Sequence, residues 1–116
     1  MKYGKTEVRL CRNATTLGKD SARAVARTLR RLLAQQPEVK IVFAAAESQV
    51  PFLDALSAQP RIAWNRVTCF NMDDFWGLKL PVRLTCGAIP RKHLYERVRP
   101  KAFHLLRYDA PDPERE

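Results

Sequence analysis

The segment VKIVFAAA, residues 39–46, decides the fold because it is a nearly continuous apolar run rich in β-branched residues. A run of this length after a helical pattern predicts a central parallel strand covered on both faces. The following residues, 47–59, predict a loop that enters a short helix, with Pro51 tolerated in its first turn. NRVTCFNM, residues 65–72, predicts the next strand. This strand–helix–strand alternation indicates an α/β layer with right-handed crossovers.

The flanking segments extend the same alternation in both directions. Alternating polar and apolar residues at 6–11 predict a short strand, and an apolar stripe at helical spacing predicts a helix over 17–36. Downstream, residues 91–98 predict a helix and 101–108 predict a fourth strand. The last residues, 109–116, carry the prolines and acidic side chains typical of a helix N-terminus.

Length and composition indicate one globular domain spanning 1–116. The chain is 46% hydrophobic and 28% charged, and it contains neither an apolar run long enough for a membrane span nor a signal-peptide pattern, so we expect a cytoplasmic protein without membrane contact. The three cysteines are widely spaced and form no C-x-x-C pair, and the two histidines have no ligand at metal-binding spacing. We therefore expect no disulfide framework, no metal and no cofactor.

The charge is strongly basic, with 21 Lys and Arg against 12 Asp and Glu, or +9. Such an excess favours polyanions or a phosphorylated substrate. Nine of these 21 basic residues lie in two groups, within 23–31 and 91–101, and a single aromatic residue, Tyr95, lies among them, so the groups carry no series of aromatic side chains to stack on bases. Solvated faces explain this distribution, so we expect no nucleic-acid partner. A basic nucleic-acid-binding module stays as an alternative, which steeply salt-dependent binding to unrelated DNA and RNA would favour.

Two adjacent carboxylates, Asp73 and Asp74, follow the predicted strand 65–72. Ligands of open parallel sheets bind beyond the carboxyl ends of the strands, so this pair and the segment AAAESQ (44–49) are candidates for a binding rim. On spacing alone, a turn or helix cap is the competing interpretation of the pair. Neither a Walker loop nor a dinucleotide fingerprint is present in the sequence.

The stretch FNMDDFWGL, residues 70–78, resembles the signature of the glucosamine-6-phosphate deaminase/isomerase family, F-N/H-M-D-E-Y/F-x-G-L. The resemblance runs over most of 39–116 and is weaker before it. It differs from the related 6-phosphogluconolactonases, whose corresponding stretch is closer to D-E-R. The resemblance implies a three-layer, Rossmann-like, mostly parallel α/β sheet, present here only as the N-terminal half of the family domain.

The resemblance also implies roles for individual residues. Asp73 takes the position of the base that moves a proton between C2 and C1 of the opened amino sugar phosphate, which becomes fructose 6-phosphate after ammonia leaves. Asn71 and Met72 complete the motif as positioning residues, and Asp74 replaces the family's glutamate. Ser48 corresponds to the family's phosphate loop and is the predicted phosphate contact. The implied substrate is therefore a sugar phosphate.

The sequence departs from the pattern of the deaminase/isomerase family in three places. The loop 44–49 lacks the glycines that let a backbone approach phosphate closely, and residues 79–90 do not follow the family's polar stretch. The family's motif G-x-G-x-N-G-H-I-A-F-N-E-P, which bears the ring-opening histidine, has no counterpart in the chain. We therefore expect the chain to be inactive alone and to need a complementing C-terminal half or a homo-oligomer. Another sugar-phosphate isomerase or a lactonase on the same fold is the alternative enzyme.

Overall fold

The computed structural model describes residues 1–75, 81–107 and 110–115. Its strands are β1 (Lys2–Tyr3), β2 (Thr6–Glu7), β3 (Val39–Phe43), β4 (Val67–Asn71) and β5 (Ala102–His104). Two regular helices are α1 (Ala14–Gln35) and α2 (Val50–Ser57). A third, named α3 here, runs through residues 88–98 as three consecutive segments, Ala88–Pro90, the π-helical Arg91–Tyr95 and Glu96–Val98.

The main sheet contains three parallel strands in the order β3-β4-β5. Val39 of β3 pairs with Val67 of β4, and Thr68 of β4 pairs with Ala102 of β5. Parallel neighbours need crossover connections, and α2 and α3 provide them between successive strands. The α/β class with a mostly parallel sheet, predicted from the alternation of elements, is confirmed.

The core lies on one face of this sheet. Side chains of β3 and β4 that point to this face are buried, or half-buried in the case of Ile41, whereas Lys40 and Val42, which alternate with them, are exposed. All three helices contribute to the same buried cluster, whose members are Ala22, Ala26, Leu29, Leu33, Val39, Phe43, Leu53, Leu56, Trp64, Val67, Cys69, Leu94 and Tyr95. Within the described residues the domain therefore has two layers, and the prediction that β3 is covered on both faces is wrong.

β3 also differs from its predicted position within the sheet. The continuous apolar run 39–46 predicted a central strand, but among the described residues β3 is an edge strand and β4 is central. Apolarity alone cannot identify the neighbours of a strand, because an edge strand covered by a helix is equally apolar on its buried side. The strand is also shorter than predicted, since it ends at Phe43.

The N-terminal strand prediction is only partly correct. Of the predicted 6–11, only Thr6–Glu7 is a strand, and it pairs antiparallel with Lys2–Tyr3 in a separate hairpin around Gly4, whose φ is 61°. In contrast, the predicted helix 17–36 closely matches α1. Asn13 is the N-cap of this helix, because its Oδ1 accepts a hydrogen bond from the Thr16 N–H at 2.9 Å.

The C-terminal predictions are confirmed in part. The predicted helix 91–98 lies within α3, which begins three residues earlier because Pro90 falls in its first turn, where no intrahelical N–H bond is lost. β5 covers only three residues of the predicted strand 101–108, whose position 108 lies outside the described residues. In the described part of the chain, no helix is long and apolar enough to cross a membrane.

Candidate active site

The candidate site begins where β4 ends. The Met72 N–H donates a hydrogen bond to the Phe43 carbonyl oxygen at 2.9 Å, which continues the β3–β4 pairing one residue past Asn71. Asp73 and Asp74 therefore follow directly beyond the carboxyl ends of two parallel strands, at the edge where such sheets bind ligands. The motif residues Trp76, Gly77 and Leu78 lie outside the described residues.

Asp74 turns its carboxylate toward the backbone that leads into α3. Its Oδ1 accepts hydrogen bonds from the N–H groups of Phe75 at 2.8 Å and Cys86 at 3.0 Å. Its Oδ2 accepts one from the Gly87 N–H at 2.9 Å. A negative charge at this end of α3 also interacts favourably with the helix dipole. Both oxygens are thus occupied by the protein, and the side chain joins the turn after β4 to the start of α3.

Gly87 makes this close approach possible. A Cβ at position 87 would lie 3.0 Å from Asn71 Nδ2 and 3.3 Å from Asp74 Oδ2. Both distances are tighter than ordinary van der Waals contact, so a larger residue would push the α3 backbone away from the carboxylate. The sequence alone does not reveal the role of Gly87 or the N–H groups that Asp74 binds, because both depend on contacts across 12 to 13 positions of the chain.

Asp73 has the opposite environment from its neighbour. Its side chain is exposed, and no hydrogen bond to it is found among the described residues. The backbone on either side is held by the β3 pairing of Met72 and by the Asp74 contacts. The result is a carboxylate on an anchored turn that remains open to solvent and to a ligand.

The other two motif residues also differ in their surroundings. Asn71 is 93% buried, and its Oδ1 accepts a hydrogen bond from the buried Tyr95 hydroxyl at 3.2 Å. Its Nδ2 is buried without an acceptor in the described part of the chain. Met72 is exposed. Asn71 thus ties the end of β4 to α3, whereas Met72 projects into solvent, and the positioning roles of both stay predictions.

The cysteines near the site are not activated nucleophiles. Burial raises the pKa of Cys69 to about 12. Desolvation, followed by the negative charges of Asp74 and Asp73, raises the pKa of Cys86. Both thiols therefore stay protonated near neutral pH, and the thiolate required for nucleophilic attack is disfavoured. Among the described residues, no group of three or more His, Cys, Asp or Glu side chains could hold a metal ion.

Ser48 lies after β3, in the exposed 3₁₀ turn Glu47–Gln49 that precedes α2. It lines a cleft of about 270 Å³ between α1 and the first turn of α2. None of residues 71–74 lines this cleft, so the described structure places the predicted phosphate contact and Asp73 at neighbouring strand ends without bringing them into one cavity. Gly18 of α1 borders the same cleft, and a Cβ there would lie 2.6 Å from the Pro51 carbonyl carbon.

A second, basic cleft of about 650 Å³ separates the turn after β3 from α3. Four basic side chains and two carboxylates line it, namely Arg83, Arg91, Lys92, His93, Glu47 and Glu96. Arg91 pairs with Glu96 at 3.2 Å, and His93 Nδ1 lies 2.7 Å from Asp54 Oδ1. Arg83 and Lys92 form no such pair among the described residues. The sequence places Arg91 and Lys92 in a group that solvated faces explain, and it does not relate these cations to a cleft.

Comparison with curated proteins finds a sugar-phosphate enzyme. Over 89 residues, or 77% of this chain, the sequence is 33% identical to a 6-phosphogluconolactonase of Pseudomonas aeruginosa. Those residues make up 32% of that relative, so the chain spans about a third of its length. No family profile matches the chain.

Solved structures agree with the fold. A monomeric glucosamine-6-phosphate deaminase matches 95% of this chain and 46% of its own, with a TM-score of 0.76 and 15% identity. A 6-phosphogluconolactonase of Shewanella baltica matches 87% of this chain and 42% of its own, with a TM-score of 0.73 and 18% identity. One from Thermotoga maritima gives a TM-score of 0.70 over 81% of this chain and 43% of its own, with 18% identity.

These likenesses define the class of fold. The chain has the Rossmann-like α/β fold that glucosamine-6-phosphate deaminase and 6-phosphogluconolactonases share. It spans less than half of each of these solved proteins, in agreement with the resemblance to the N-terminal half of a deaminase/isomerase domain. The likenesses include both enzymes.

Proposed function

We propose that this chain forms the N-terminal half of a sugar-phosphate-converting site in which Asp73 is the proton-transferring carboxylate. The reaction is the conversion of glucosamine 6-phosphate and water to fructose 6-phosphate and ammonia. The observation that carries the proposal is the contrast within the aspartate pair. The carboxylate of Asp74 accepts three backbone hydrogen bonds, whereas the side chain of Asp73 is exposed on the turn that these bonds stabilise.

The chemistry suits a single accessible carboxylate. A carboxylate that takes a proton from C2 of the opened sugar and returns it to C1 must reach both carbons without a competing ion pair. Among the described residues, Asp73 has no competing ion pair. Anchoring of the turn limits the movement of the carboxylate, and this favours a productive geometry. Asp74 supports the reaction through the backbone, and Asn71 does so through Tyr95.

The phosphate group of the substrate needs cations or free N–H donors. Ser48 remains the residue predicted from the resemblance, on the turn that precedes α2. The basic cleft adds Arg83 and Lys92, which face Glu47 of the same turn. Two cations without described ion pairs favour an anion there, and we include them in the proposed substrate surface.

Lactone hydrolysis is the second candidate, because the curated relative with 33% identity is a 6-phosphogluconolactonase. The two activities are separated by product. Glucosamine 6-phosphate releases ammonia only with a deaminase, and 6-phosphogluconolactone opens to an acid only with a lactonase. We assign a deaminase-type reaction first because residues 70–74 follow the deaminase/isomerase signature closely.

We further propose that turnover requires polypeptide beyond these 116 residues, since the chain spans less than half of the solved proteins it matches. That polypeptide is a complementing C-terminal half, or a second copy in a homo-oligomer. The sequence assigns no cofactor to the reaction. A cytosolic location is also part of the proposal, as expected for an enzyme of sugar-phosphate metabolism.

The test compares Asp73→Asn with Asp112→Asn, an equal change at another exposed aspartate. The chain is assayed alone and mixed with the remainder of the monomeric glucosamine-6-phosphate deaminase that it matches, meaning the part of that protein with no counterpart in this chain. We expect no turnover alone and ammonia release in the mixture. Asp73→Asn should lower that rate about 100-fold or more, while Asp112→Asn should not change it. Lactone opening without ammonia release would assign the second activity, and a mixed complex with neither activity would overturn the proposal.

A further inference from the structure

We propose that the exposed side of α1 is a docking surface for the phosphate backbone of double-stranded DNA, which it contacts without reading the base sequence. The contact is made by four cations, called the basic row here, namely Lys19, Arg23, Arg27 and Arg31. The inference goes beyond the proposed function, since it involves neither Asp73 nor turnover. It develops the alternative of a nucleic-acid-binding module, against the expectation that solvated faces explain these cations.

The basic row is evenly spaced along one regular helix. Its members recur at every fourth residue of α1, so they lie on the same side with a rise of about 6 Å from each to the next. The row spans about 18 Å along the helix axis, and all four residues are exposed. Double-stranded DNA carries one charge per ~1.7 Å of its axis, so this length passes roughly ten phosphates. All four cations can therefore contact one duplex together.

The charges of the basic row are not balanced within α1. This helix carries five basic residues and one acidic residue, Asp20, so it supplies +4 of the net charge of +9. Asp20 lies 3.2 Å from Arg23, and the other three members of the row form no ion pair among the described residues. Like charges four positions apart repel each other on a helix and lower its stability. An anionic partner would remove this repulsion.

Arg30 of the same helix shows how an arginine with a structural contact differs. Its guanidinium donates two hydrogen bonds to the Pro60 carbonyl oxygen, at 2.7 and 3.2 Å, and so joins α1 to the loop after α2. In the described part of the chain, the members of the basic row make no such contact with another element. Packing therefore does not explain their positions.

Other properties of α1 select the partner. Its apolar side packs in the core, where Ala22, Ala26 and Leu29 are at most 2% exposed, so this side is not free to enter a membrane. No aromatic residue lies in α1, and unpaired bases would find no ring to stack on. Three of the four cations are arginines, whose planar guanidinium can donate two parallel hydrogen bonds to a phosphate. A regular duplex backbone fits these properties.

The test compares two double variants that lose equal charge. Arg27→Gln with Arg31→Gln removes half of the basic row, and Arg83→Gln with Lys92→Gln removes two cations from the basic cleft. Both variants carry +7, and circular dichroism should show wild-type helix content because all four positions are exposed. Binding of the 116-residue chain to two unrelated duplexes of about 20 base pairs is measured by fluorescence anisotropy between about 10 and 100 mM NaCl.

Four phosphate contacts predict the salt dependence of the wild-type chain. The logarithm of the association constant should fall with the logarithm of the salt concentration at a slope of about −3.6, with a Kd on the order of 10⁻⁵ M at about 50 mM salt. The row variant should halve this slope and raise the Kd about 100-fold at that salt, whereas the cleft variant should stay within about threefold of wild type. Arg27→Lys with Arg31→Lys should keep the slope, because it keeps both charges.

Equal losses in the row and cleft variants would show that net charge alone drives binding, and this would overturn the inference. No measurable binding, or a wild-type slope shallower than about −2, would overturn it without any variant. So would tighter binding to single-stranded DNA, anionic lipid vesicles or polyglutamate. A Kd that differs more than about tenfold between the two duplexes would contradict a contact with the backbone alone. Binding is scored without a sugar phosphate, so a chain that binds DNA but supports no turnover refutes only the proposed reaction.

Discussion

Replacing Asp74 by alanine should destabilise the protein although the residue lies in a loop. The carboxylate accepts three backbone hydrogen bonds, of which those from Cys86 and Gly87 are part-buried. Water replaces the exposed Phe75 bond readily, but each part-buried N–H left without an acceptor costs about 1 kcal/mol. Loss of the negative charge at the start of α3 adds about 0.3–1 kcal/mol. The expected loss in the free energy of unfolding is therefore about 2–3 kcal/mol.

Urea unfolding followed by circular dichroism measures this loss, and thermal unfolding should show a Tm lowered by roughly 8–12 °C. Asp73→Ala is the matched control, since it removes the same group one residue earlier, from an exposed side chain without a described hydrogen bond. We expect its effect to stay within about 0.5 kcal/mol. Equal destabilisation by the two variants, or an unchanged Asp74→Ala, would refute the assignment of separate roles to the pair.

Three further changes test the packing around the site. Gly18→Ala should lower the free energy of unfolding in urea by about 1–3 kcal/mol, because the new Cβ would lie 2.6 Å from the Pro51 carbonyl carbon. This loss should exceed the gain from alanine's higher helix propensity. Lys19→Ala, on the exposed side of the same helix, is the control and should be nearly neutral. Tyr95→Phe removes the hydroxyl bonded to Asn71 and should cost about 1–2 kcal/mol by the same measurement; no loss would show that the bond contributes nothing. Because burial raises the pKa of Cys69, the folded state holds the thiol proton more tightly than the unfolded state does. The contribution of this thiol to the free energy of unfolding is therefore complete below pH 9 and is lost as pH rises toward about 12. Unfolding curves at pH 8, 9 and 10 should therefore show a decline of up to about 1.4 kcal/mol per pH unit from this group, and an equally steep decline in Cys69→Ala would contradict it.

The sequence by itself determined the elements with strong local patterns. The helical spacing over 17–36 matches α1, and the β-branched runs identify β3 and β4 as strands of a parallel sheet. These features are local because the periods of helix and strand are set by backbone geometry and by burial of one face. The motif of residues 70–78 that contains the aspartate pair was likewise visible, and so was the place of the pair at a strand end.

Tertiary structure alone decided which aspartate is occupied and which is open. Adjacent carboxylates are chemically equal in sequence, and they differ here because Cys86 and Gly87, 12 and 13 positions away, turn their N–H groups to Asp74. The same holds for β3, whose edge position among the described residues depends on which strand lies beside it and not on its own residues. Contacts between distant parts of the chain carry this information, because hydrogen bonding and packing depend on position in space.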